Sequence, residues 1–356
     1  MPDQTPTQPT RNALTHPGVL AALAAAALFG AGTPLAKRLL GTVDPWLLAG
    51  LLYLGSGAGL ALWRLLSRAE RVTLPADQWL WLAGAVLAGG VIGPLLLMLG
   101  LSHLQASSVS LLLNAEGLFT ALLAWFVFKE NFDRRIALGM VAIVAGALVL
   151  SWPDQARFVE VWPTLAVLGA CAAWALDNNL TRKLALADAT WIASVKGLAA
   201  GAVNLLLGLA TGATWPPAPS LAGALVLGLA AYGISLTLFV VGLRHLGTAR
   251  TGAYFSVAPF FGAVLAVLWL DEAVTQRLLA AGAFMALGVW LHLTEQHGHG
   301  HTHEQMEHEH EHEHDIHHQH EHSEAQPFGR HSHHHRHSPL THSHEHFPDA
   351  HHRHLH

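Results

Sequence analysis

Residues 18–294 are dominated by long apolar segments, which are separated by short stretches rich in Pro, Gly or charged residues. The chain is 52% hydrophobic and only 12% charged, whereas soluble domains carry about 25% charged residues. A helix needs about 20 apolar residues to cross a bilayer core, and lipid offers no partner to an unpaired backbone amide. The sequence therefore predicts an all-α membrane protein. Ten transmembrane helices are expected, at about 18–39, 46–66, 78–101, 105–128, 134–152, 162–181, 190–211, 219–243, 247–270 and 276–294.

Lys and Arg residues predict the orientation, because short cytoplasmic loops carry an excess of positive charge. Residues 1–17 are polar and lack the apolar core of a secretory signal, so we assign them as a cytoplasmic segment. Eleven basic residues then lie on the inner side: Arg11, Arg64, Arg68, Arg71, Lys129, Arg134, Arg135, Arg182, Lys183, Arg244 and Arg250. Four lie on the outer side: Lys37, Arg38, Arg157 and Arg277. Both termini are therefore predicted to be cytoplasmic.

Two parts of the chain resemble each other. Residues 100–135 align without a gap with residues 242–277, which lie 142 positions further along. The alignment superimposes three polar pairs: His103 with His245, Glu130 with Glu272, and Arg135 with Arg277. We interpret the chain as two five-helix repeats, residues 18–152 and 162–294, joined by a loop at 153–161.

An odd number of helices in each repeat inserts the second repeat upside down relative to the first. Inverted repeats are typical of secondary transporters, which bind substrate near the membrane midplane between the two repeats. A duplicated bundle with a purely structural role is the alternative.

Several motifs are similar to those of the EamA-type transporters of the drug/metabolite transporter superfamily. The segments ALFGAGTPLAKRLL and CAAWALDNNLTRKL look like the aromatic–Gly/Ala…Lys/Arg opening of each repeat, and FVFKE and LWLDE look like the acidic ends of helices 4 and 9. The usual proline of these helices is present as Pro259 but is replaced by Gly117 in the first repeat. The resemblance covers residues 18–294. It implies movement of a small molecule across a bacterial inner membrane, often as export.

Polar groups at membrane depth are candidates for substrate or proton handling, because a charge in lipid is costly. Glu116 lies near the centre of the fourth predicted helix, next to Asn114. It is predicted to bind substrate or to alternate between protonated and charged states. The alternative is a protonated carboxyl that only packs in the bundle.

A second polar group lies in helices 6 and 7. Asp177, Asn178 and Asn179 are consecutive, and Lys196 lies at a similar depth from the same side. We predict that Asp177 and Lys196 form an ion pair, with either a transport role or mutual neutralisation. Lys37, at the outer end of helix 1, could attract an anionic group or anchor the helix at the interface.

Residues 295–356 form a histidine-rich tail, in which positions 297–356 hold 24 of the 28 histidines of the chain. The tail contains few large apolar residues, which predicts a disordered segment. Imidazole is a common ligand for Zn²⁺, Ni²⁺, Co²⁺ and Cu²⁺, and the alternating HEHEHEH stretch favours several sites of moderate affinity. The candidate ligands are His308, His310, His312, His314, His317, His318, His320, His322, His333, His334 and His335.

Three functions remain open from the sequence. The first is a secondary transporter that exports a small metabolite by alternating access, with a metal-binding tail. The second is a divalent metal-ion transporter, and the third is a membrane metal sensor that transports nothing. No enzyme motif and no nucleic-acid-binding pattern is present, no cofactor is required, and a homodimer is left open. The single cysteine, Cys171, excludes an intrachain disulfide.

Overall fold

A computed structural model of the chain describes residues 17–128, 134–152, 158–181, 184, 188–246, 248–293, 298–303, 306–312, 331–337 and 340–345. Several residues used in the sequence analysis lie outside these ranges, including Glu130, Arg182, His314 and the histidines between 317 and 322. The chain divides into two compact units, Met1–Thr294 and Glu295–His356.

The helices of the first unit fall into two sets of seven among the described residues. The first set is α1 (Pro17–Leu39), α2 (Pro45–Leu66), α3 (Trp79–Ala85), α4 (Gly93–His103), α5 (Ala106–Leu112), α6 (Ala115–Phe128) and α7 (Arg134–Ser151). The second set is α8 (Phe158–Thr181), α9 (Ala189–Ala210), α10 (Ala218–Gly228), α11 (Ser235–Leu246), α12 (Thr248–Phe255), α13 (Ala258–Leu270) and α14 (Gln276–Leu293). We call these sets the first half and the second half.

The two halves share their internal irregularities. A π-helical turn joins α3 to α4 (Val86–Ile92), and another joins α10 to α11 (Leu229–Ile234). A short break separates α5 from α6, and a similar break separates α12 from α13. The first π-helical turn is directly followed by Gly93 and Pro94, at the start of α4.

Five helical stretches are long and apolar enough to cross a membrane, as judged by length and composition within the described residues. They are Pro17–Leu39, Pro45–Leu66, Ala76–His103, Ala189–Ala210 and Ala218–Gly242. Shorter apolar helices occur at Ala137–Leu150, Ala258–Leu270 and Gln276–Leu291. The helical parts of the chain therefore agree with the predicted class of multi-pass membrane protein.

The helices pack reciprocally across the two halves. The second helices, α2 and α9, pack on each other, and so do the last helices, α7 and α14. Helix α1 packs on α11 and α13, and its counterpart α8 packs on α4 and α6. This exchange of partners encloses the space at the centre of the bundle between both halves.

Glycines permit the closest contact in this bundle. A Cβ atom at Gly197 would lie 2.6 Å from the Cα of Gly57, so larger residues there would separate α2 from α9. Both helices begin at an aspartate, Asp44 or Asp188, whose carboxylate accepts hydrogen bonds from backbone amides of the first turn.

The described residues of the tail form four short strands, whereas the sequence predicted a disordered segment there. Strand β1 (Gly298–His303) pairs antiparallel with β4 (Leu340–Glu345), and β2 (Met306–His312) pairs antiparallel with β3 (His331–His337). The two-residue alternation of the tail suits an extended strand, and backbone pairing needs no apolar core.

Candidate substrate-binding cavity

A cavity of about 560 Å³ lies between the two halves. Residues of α1, α2 and α6 line it from the first half, and residues of α8, α9, α11 and α12 line it from the second. It extends to Leu184, in the connection between α8 and α9, and to Ala189, the first residue of α9. A volume of this size is typical of small-molecule sites.

An ion pair forms part of the cavity wall. The Lys196 Nζ atom lies 2.5 Å from Oδ1 and 2.6 Å from Oδ2 of Asp177, and both side chains are largely buried. The Thr181 hydroxyl donates a further hydrogen bond of 2.9 Å to Asp177 Oδ1. The predicted pairing of Asp177 with Lys196 is therefore present, and the carboxylate has three short contacts that hold it in place.

Glu116 faces the same cavity from α6, but its partner is neutral. The Asn178 amide nitrogen donates a hydrogen bond of 2.8 Å to Glu116 Oε1. Among the described residues no basic side chain bonds this carboxyl. The structure thus places two acidic groups of the cavity in different environments, one neutralised by an ammonium group and one held by an amide.

The first π-helical turn supports the cavity from behind. Its wider turn leaves carbonyl oxygens available to other helices, and the Gly89 carbonyl accepts hydrogen bonds from the Tyr53 hydroxyl at 2.6 Å and from the Trp174 indole at 2.9 Å. The Gly90 carbonyl accepts a hydrogen bond of 2.9 Å from the side-chain amide of Asn204. Three helices are therefore fixed to one irregular turn.

A continuous group of five aromatic rings lines another side of the cavity. The ring centroids lie 4.9 Å apart for Phe239–Phe255, 5.4 Å for Phe255–Phe29, 5.9 Å for Phe29–Tyr232 and 5.7 Å for Tyr232–Tyr53. We call these residues the aromatic wall. All five rings border the cavity, which is therefore polar near α6, α8 and α9 and aromatic elsewhere.

Three predicted site residues lie away from the cavity. The side-chain amide of Asn114 donates a hydrogen bond of 2.8 Å to the carbonyl of Leu111. The side-chain amide of Asn179 donates a hydrogen bond of 2.8 Å to the carbonyl of Ala175. These bonds satisfy the amides locally. Lys37 lies outside the cavity. Its ammonium group donates hydrogen bonds to the carbonyls of Leu101 at 2.6 Å and Ser102 at 3.2 Å.

Lys37 forms part of a polar contact that we call the end clamp. Lys37 binds the last carbonyls of α4, and the Glu272 carboxylate accepts hydrogen bonds from the amides of Ala106 at 2.6 Å and Ser107 at 2.9 Å, at the start of α5. A cation at a helix C-terminus and an anion at an N-terminus both complement the helix dipole. The clamp thus holds the α4–α5 junction from both halves.

The end clamp and the charged part of the cavity lie at opposite ends of α8. Helices α3 and α4 pack antiparallel to α8. Gly100 of α4 approaches Val167 in the first half of α8, whereas Gly84 of α3 approaches Leu180 near the end of α8. Asp177 and Thr181 belong to that second end, and the carbonyls bound by Lys37 follow Gly100. The clamp therefore lies opposite the charged part of the cavity along α8.

A second ion pair stabilises the connection before α9. Arg64 Nη1 lies 2.8 Å from Asp188 Oδ2, and Asp188 Oδ1 accepts from the backbone amide of Thr190 at 2.8 Å. Partial burial alone would raise the pKa of Asp188, but hydrogen bonds from Thr190, Arg64 and the Trp191 amide, together with the Arg64 charge, lower the pKa to about 2. This carboxylate is therefore ionised throughout the physiological range.

The described residues outside the tail contain no group of three or more His, Cys, Asp or Glu side chains that could hold a metal ion. Cys171 is buried. The cavity thus offers two carboxylates, of which one already has an ammonium partner.

The aromatic wall was not predicted from the sequence. One signal was available: residues 29–40 also align with residues 174–185, which lie 145 positions further along, and this pairs Phe29 with Trp174. Both residues line the cavity. The other rings carried no such signal, since a single aromatic residue in an apolar helix can face lipid or a neighbouring helix as readily as a cavity.

Two reciprocally packed halves of apolar helices around a charged cavity define a duplicated, multi-pass membrane protein with a central site. The EamA-like transporter family matches residues 16–152 and 161–294, one match for each half. The chain belongs to this family, and it is accordingly a membrane transporter and not an enzyme. The predicted resemblance to EamA-type transporters is confirmed.

Two archaeal relatives agree with this assignment. An uncharacterized transporter of Methanothermobacter thermautotrophicus is 29% identical over 292 residues, which cover 77% of this chain and 85% of the relative. An uncharacterized transporter of Archaeoglobus fulgidus is 23% identical over 229 residues, which cover 62% and 78%.

A shorter match and a solved structure complete the comparison. A probable 4-amino-4-deoxy-L-arabinose-phosphoundecaprenol flippase subunit of Pseudomonas fluorescens is 36% identical over 73 residues, 20% of this chain and 61% of the relative. One crystal structure superimposes with a TM-score of 0.59 at 20% identity, and it covers 77% of this chain and 95% of its own. At that identity the similarity shows a common fold.

Proposed function

We propose that this protein is a secondary transporter that moves a small metabolite across the cell inner membrane by alternating access, with the cavity as its binding site. The observation that carries the proposal is the composition of the cavity: both halves line it, and it contains Glu116 and the Asp177–Lys196 pair. Motion between two inverted halves exposes such a central site to each side in turn.

The repeat alignment supports a functional role for these charges. Glu116, Asp177 and Lys196 align with Ala258, Gly32 and Leu51 in the other half, so none of the charges has a charged counterpart. A scaffold that only required symmetric packing would not need them, and buried charges are costly in lipid. We therefore propose Glu116 as the carboxyl that exchanges a proton during transport.

The distribution of basic residues supports cytoplasmic termini. With that orientation, the connection between α8 and α9 is cytoplasmic, so the cavity extends towards the cytoplasm and the end clamp lies at the outer end. This arrangement suits the loading of a cytoplasmic solute, and we propose export as the direction.

A comparison of cells tests the proposal. Cells that express the wild-type protein are expected to lose at least one metabolite to the medium relative to cells that lack it, in an untargeted comparison of both compartments. Glu116→Gln is expected to abolish the difference, and Glu70→Gln, a matched change of an exposed glutamate, is expected to preserve it. Equal metabolite distributions in all four strains would contradict the proposal.

We further propose that the tail binds divalent metal ions. The register of β2 and β3 supports this role, because it pairs His308 with His335, His310 with His333 and His312 with His331. Paired residues of an antiparallel ladder, and residues two apart in a strand, share one face. Six histidines therefore share a face, including His331, which the sequence analysis had not selected.

Metal titration of the purified full-length protein tests the tail. Replacement of His308, His310 and His312 by alanine is expected to lower the number of bound Zn²⁺ or Ni²⁺ ions more than replacement of His317, His318 and His320, which lie outside the described strands. Equal losses would show that histidine number matters and the ladder does not.

The histidine-rich tail also keeps a divalent metal transporter as a second candidate function. Deletion of residues 297–356, combined with Glu116→Gln, separates the candidates. A change in cellular metal content that depends on Glu116 in the tailless protein favours metal transport, whereas a change in metabolites alone favours the first proposal. A protein that moves no solute in liposomes would favour a metal sensor.

A further inference from the structure

The charges of the cavity do not balance. Of the described residues that line it, Glu116, Asp177 and Lys196 are charged. Both carboxylate oxygens of Asp177 contact the Lys196 ammonium group, so these two charges compensate each other. Glu116 has the neutral Asn178 amide as its described partner. When Glu116 is ionised, one negative charge therefore remains for a ligand to neutralise.

The Asp177–Lys196 pair also disfavours an anionic ligand. A carboxylate or phosphate would need the Lys196 ammonium group, and this group could serve it only by leaving Asp177. Breaking the pair would leave Asp177, which is 7% exposed, without its charged partner. A buried charge without a partner is strongly unfavourable, so the cavity is built to attract a cation instead.

The aromatic wall determines what kind of cation suits the cavity. Five neighbouring rings offer a large apolar surface, and aromatic faces attract organic cations electrostatically. A borderline metal ion such as Zn²⁺ or Ni²⁺ would find few of its preferred ligands, because the described cavity residues include no imidazole or thiol. A ligand with an apolar body can use both sides of the cavity.

We propose that the cavity binds an amphipathic organic cation, that is, a protonated amine or quaternary ammonium group attached to an aromatic or other apolar body. The charged group lies against Glu116, and the body lies along the aromatic wall. The inference rests on the proposed function, in which this cavity is the substrate site, and it adds the chemical class of the substrate.

Two probes of matching shape and opposite charge test the proposal. Tetraphenylphosphonium is a lipophilic cation, and tetraphenylborate is the corresponding anion. In equilibrium dialysis with the purified full-length protein in detergent, corrected for binding to empty micelles, the cation is expected to bind and the anion is not. Equal binding of both probes, or preference for the anion, would overturn the proposal without any variant.

Variants locate the binding site. Glu116→Gln is expected to weaken cation binding by about ten-fold or more, as for the loss of a contact to a charged group, and Glu116→Asp is expected to retain the preference for the cation. Tyr232→Leu is expected to weaken binding by about two- to five-fold through loss of a ring of the wall. Glu70→Gln serves as the control. Unchanged binding by Glu116→Gln would overturn the proposal.

The outcome can be separated from that of the proposed function. If metabolite export depends on Glu116 but the cationic probe does not bind, the substrate class is wrong and the transport proposal stands. If the cation binds in a Glu116-dependent manner but no solute moves in cells or liposomes, the ligand class stands and the transport proposal fails.

Discussion

The Asp177–Lys196 pair joins two opposite charges between apolar helices at distances of 2.5 and 2.6 Å. Desolvation of both groups opposes the pair, and only its close geometry and the added bond from Thr181 offset that cost. Its contribution to stability is therefore small compared with the penalty for losing one member. This difference gives a clear expectation for single and double substitutions.

Lys196→Met is expected to destabilise the protein by about 3–5 kcal/mol, because it leaves the Asp177 carboxylate buried without a cation. The double variant Asp177→Asn/Lys196→Met is expected to recover most of that loss. Denaturant unfolding in detergent micelles measures both values. A double variant as unstable as the single variant would show that the pair itself contributes the stability.

Asp188 makes a separate, pH-dependent contribution. Its folded-state pKa of about 2 lies below the usual value, so the stabilisation is fully present above the unfolded-state pKa, near about 4, and is lost as the pH falls through about 2. The stability difference between the wild type and Asp188→Asn is therefore expected to shrink between about pH 4 and pH 2. Unfolding of both proteins across this range measures it, and a constant difference would contradict the assignment.

At the scale of elements, the first π-helical turn fixes residues of three helices next to the cavity. The carbonyls of Gly89 and Gly90 hold Tyr53, Trp174 and Asn204. A Cβ at Gly89 would collide with the Asp177 carboxylate, so only glycine lets the ion pair approach the turn. The turn therefore positions residues of α2, α8 and α9 together.

Gly89→Ala is expected to destabilise the protein by about 1–3 kcal/mol, which is the usual cost of overpacking, and to impair transport by displacing Asp177. In a regular helix the same change usually stabilises by about 0.5–1 kcal/mol. Gly282→Ala is the matched control, because its Cβ would lie 3.6 Å from Leu111. The free energies of unfolding of Gly89→Ala and Gly282→Ala test this expectation. Equal changes in the two variants would contradict the role of the turn.

The end clamp gives an expectation of the same kind. Glu272→Ala removes the acceptor of two amides at the start of α5, and it is expected to cost about 1–2 kcal/mol, as for the loss of a helix cap. Asp271→Asn changes the neighbouring acidic residue, whose left-handed backbone (φ 52°) asparagine tolerates, and it is expected to have little effect. Denaturant unfolding compares the two.

Sequence information predicted these elements unevenly. Segment length and the scarcity of charge were enough to place the apolar helices and to select Glu116, Asp177 and Lys196, because a charge in lipid needs a reason. The aromatic wall and the satisfied amides of Asn114 and Asn179 could not be predicted, since they depend on the rotation of each helix about its axis. The π-helical turn of the second half, Leu229–Ile234, contains no proline to signal it.

At the scale of the whole molecule, symmetry and asymmetry have separate roles. The two halves have equivalent frames, because α2 packs on α9, α7 packs on α14, and α1 and α8 exchange partners between the halves. The charges of the cavity break this equivalence, because each occurs in one half only. In the proposed mechanism, the repeated frame therefore provides the motion, and the residues that differ between its halves provide the recognition.

Inverted insertion of the two halves makes a direct prediction about topology. Ala69 follows α2, and Thr214, 145 positions further along, follows α9; both residues are exposed. Equivalent loops of inverted repeats lie on opposite sides of the membrane. In a Cys171→Ala background, Thr214→Cys is therefore expected to react with a membrane-impermeant maleimide in whole cells, and Ala69→Cys is expected to react only after the membrane is opened. Alternating access between inverted halves requires these two loops to lie on opposite sides of the membrane. Labelling of both positions from the same side would therefore contradict the proposed transport mechanism.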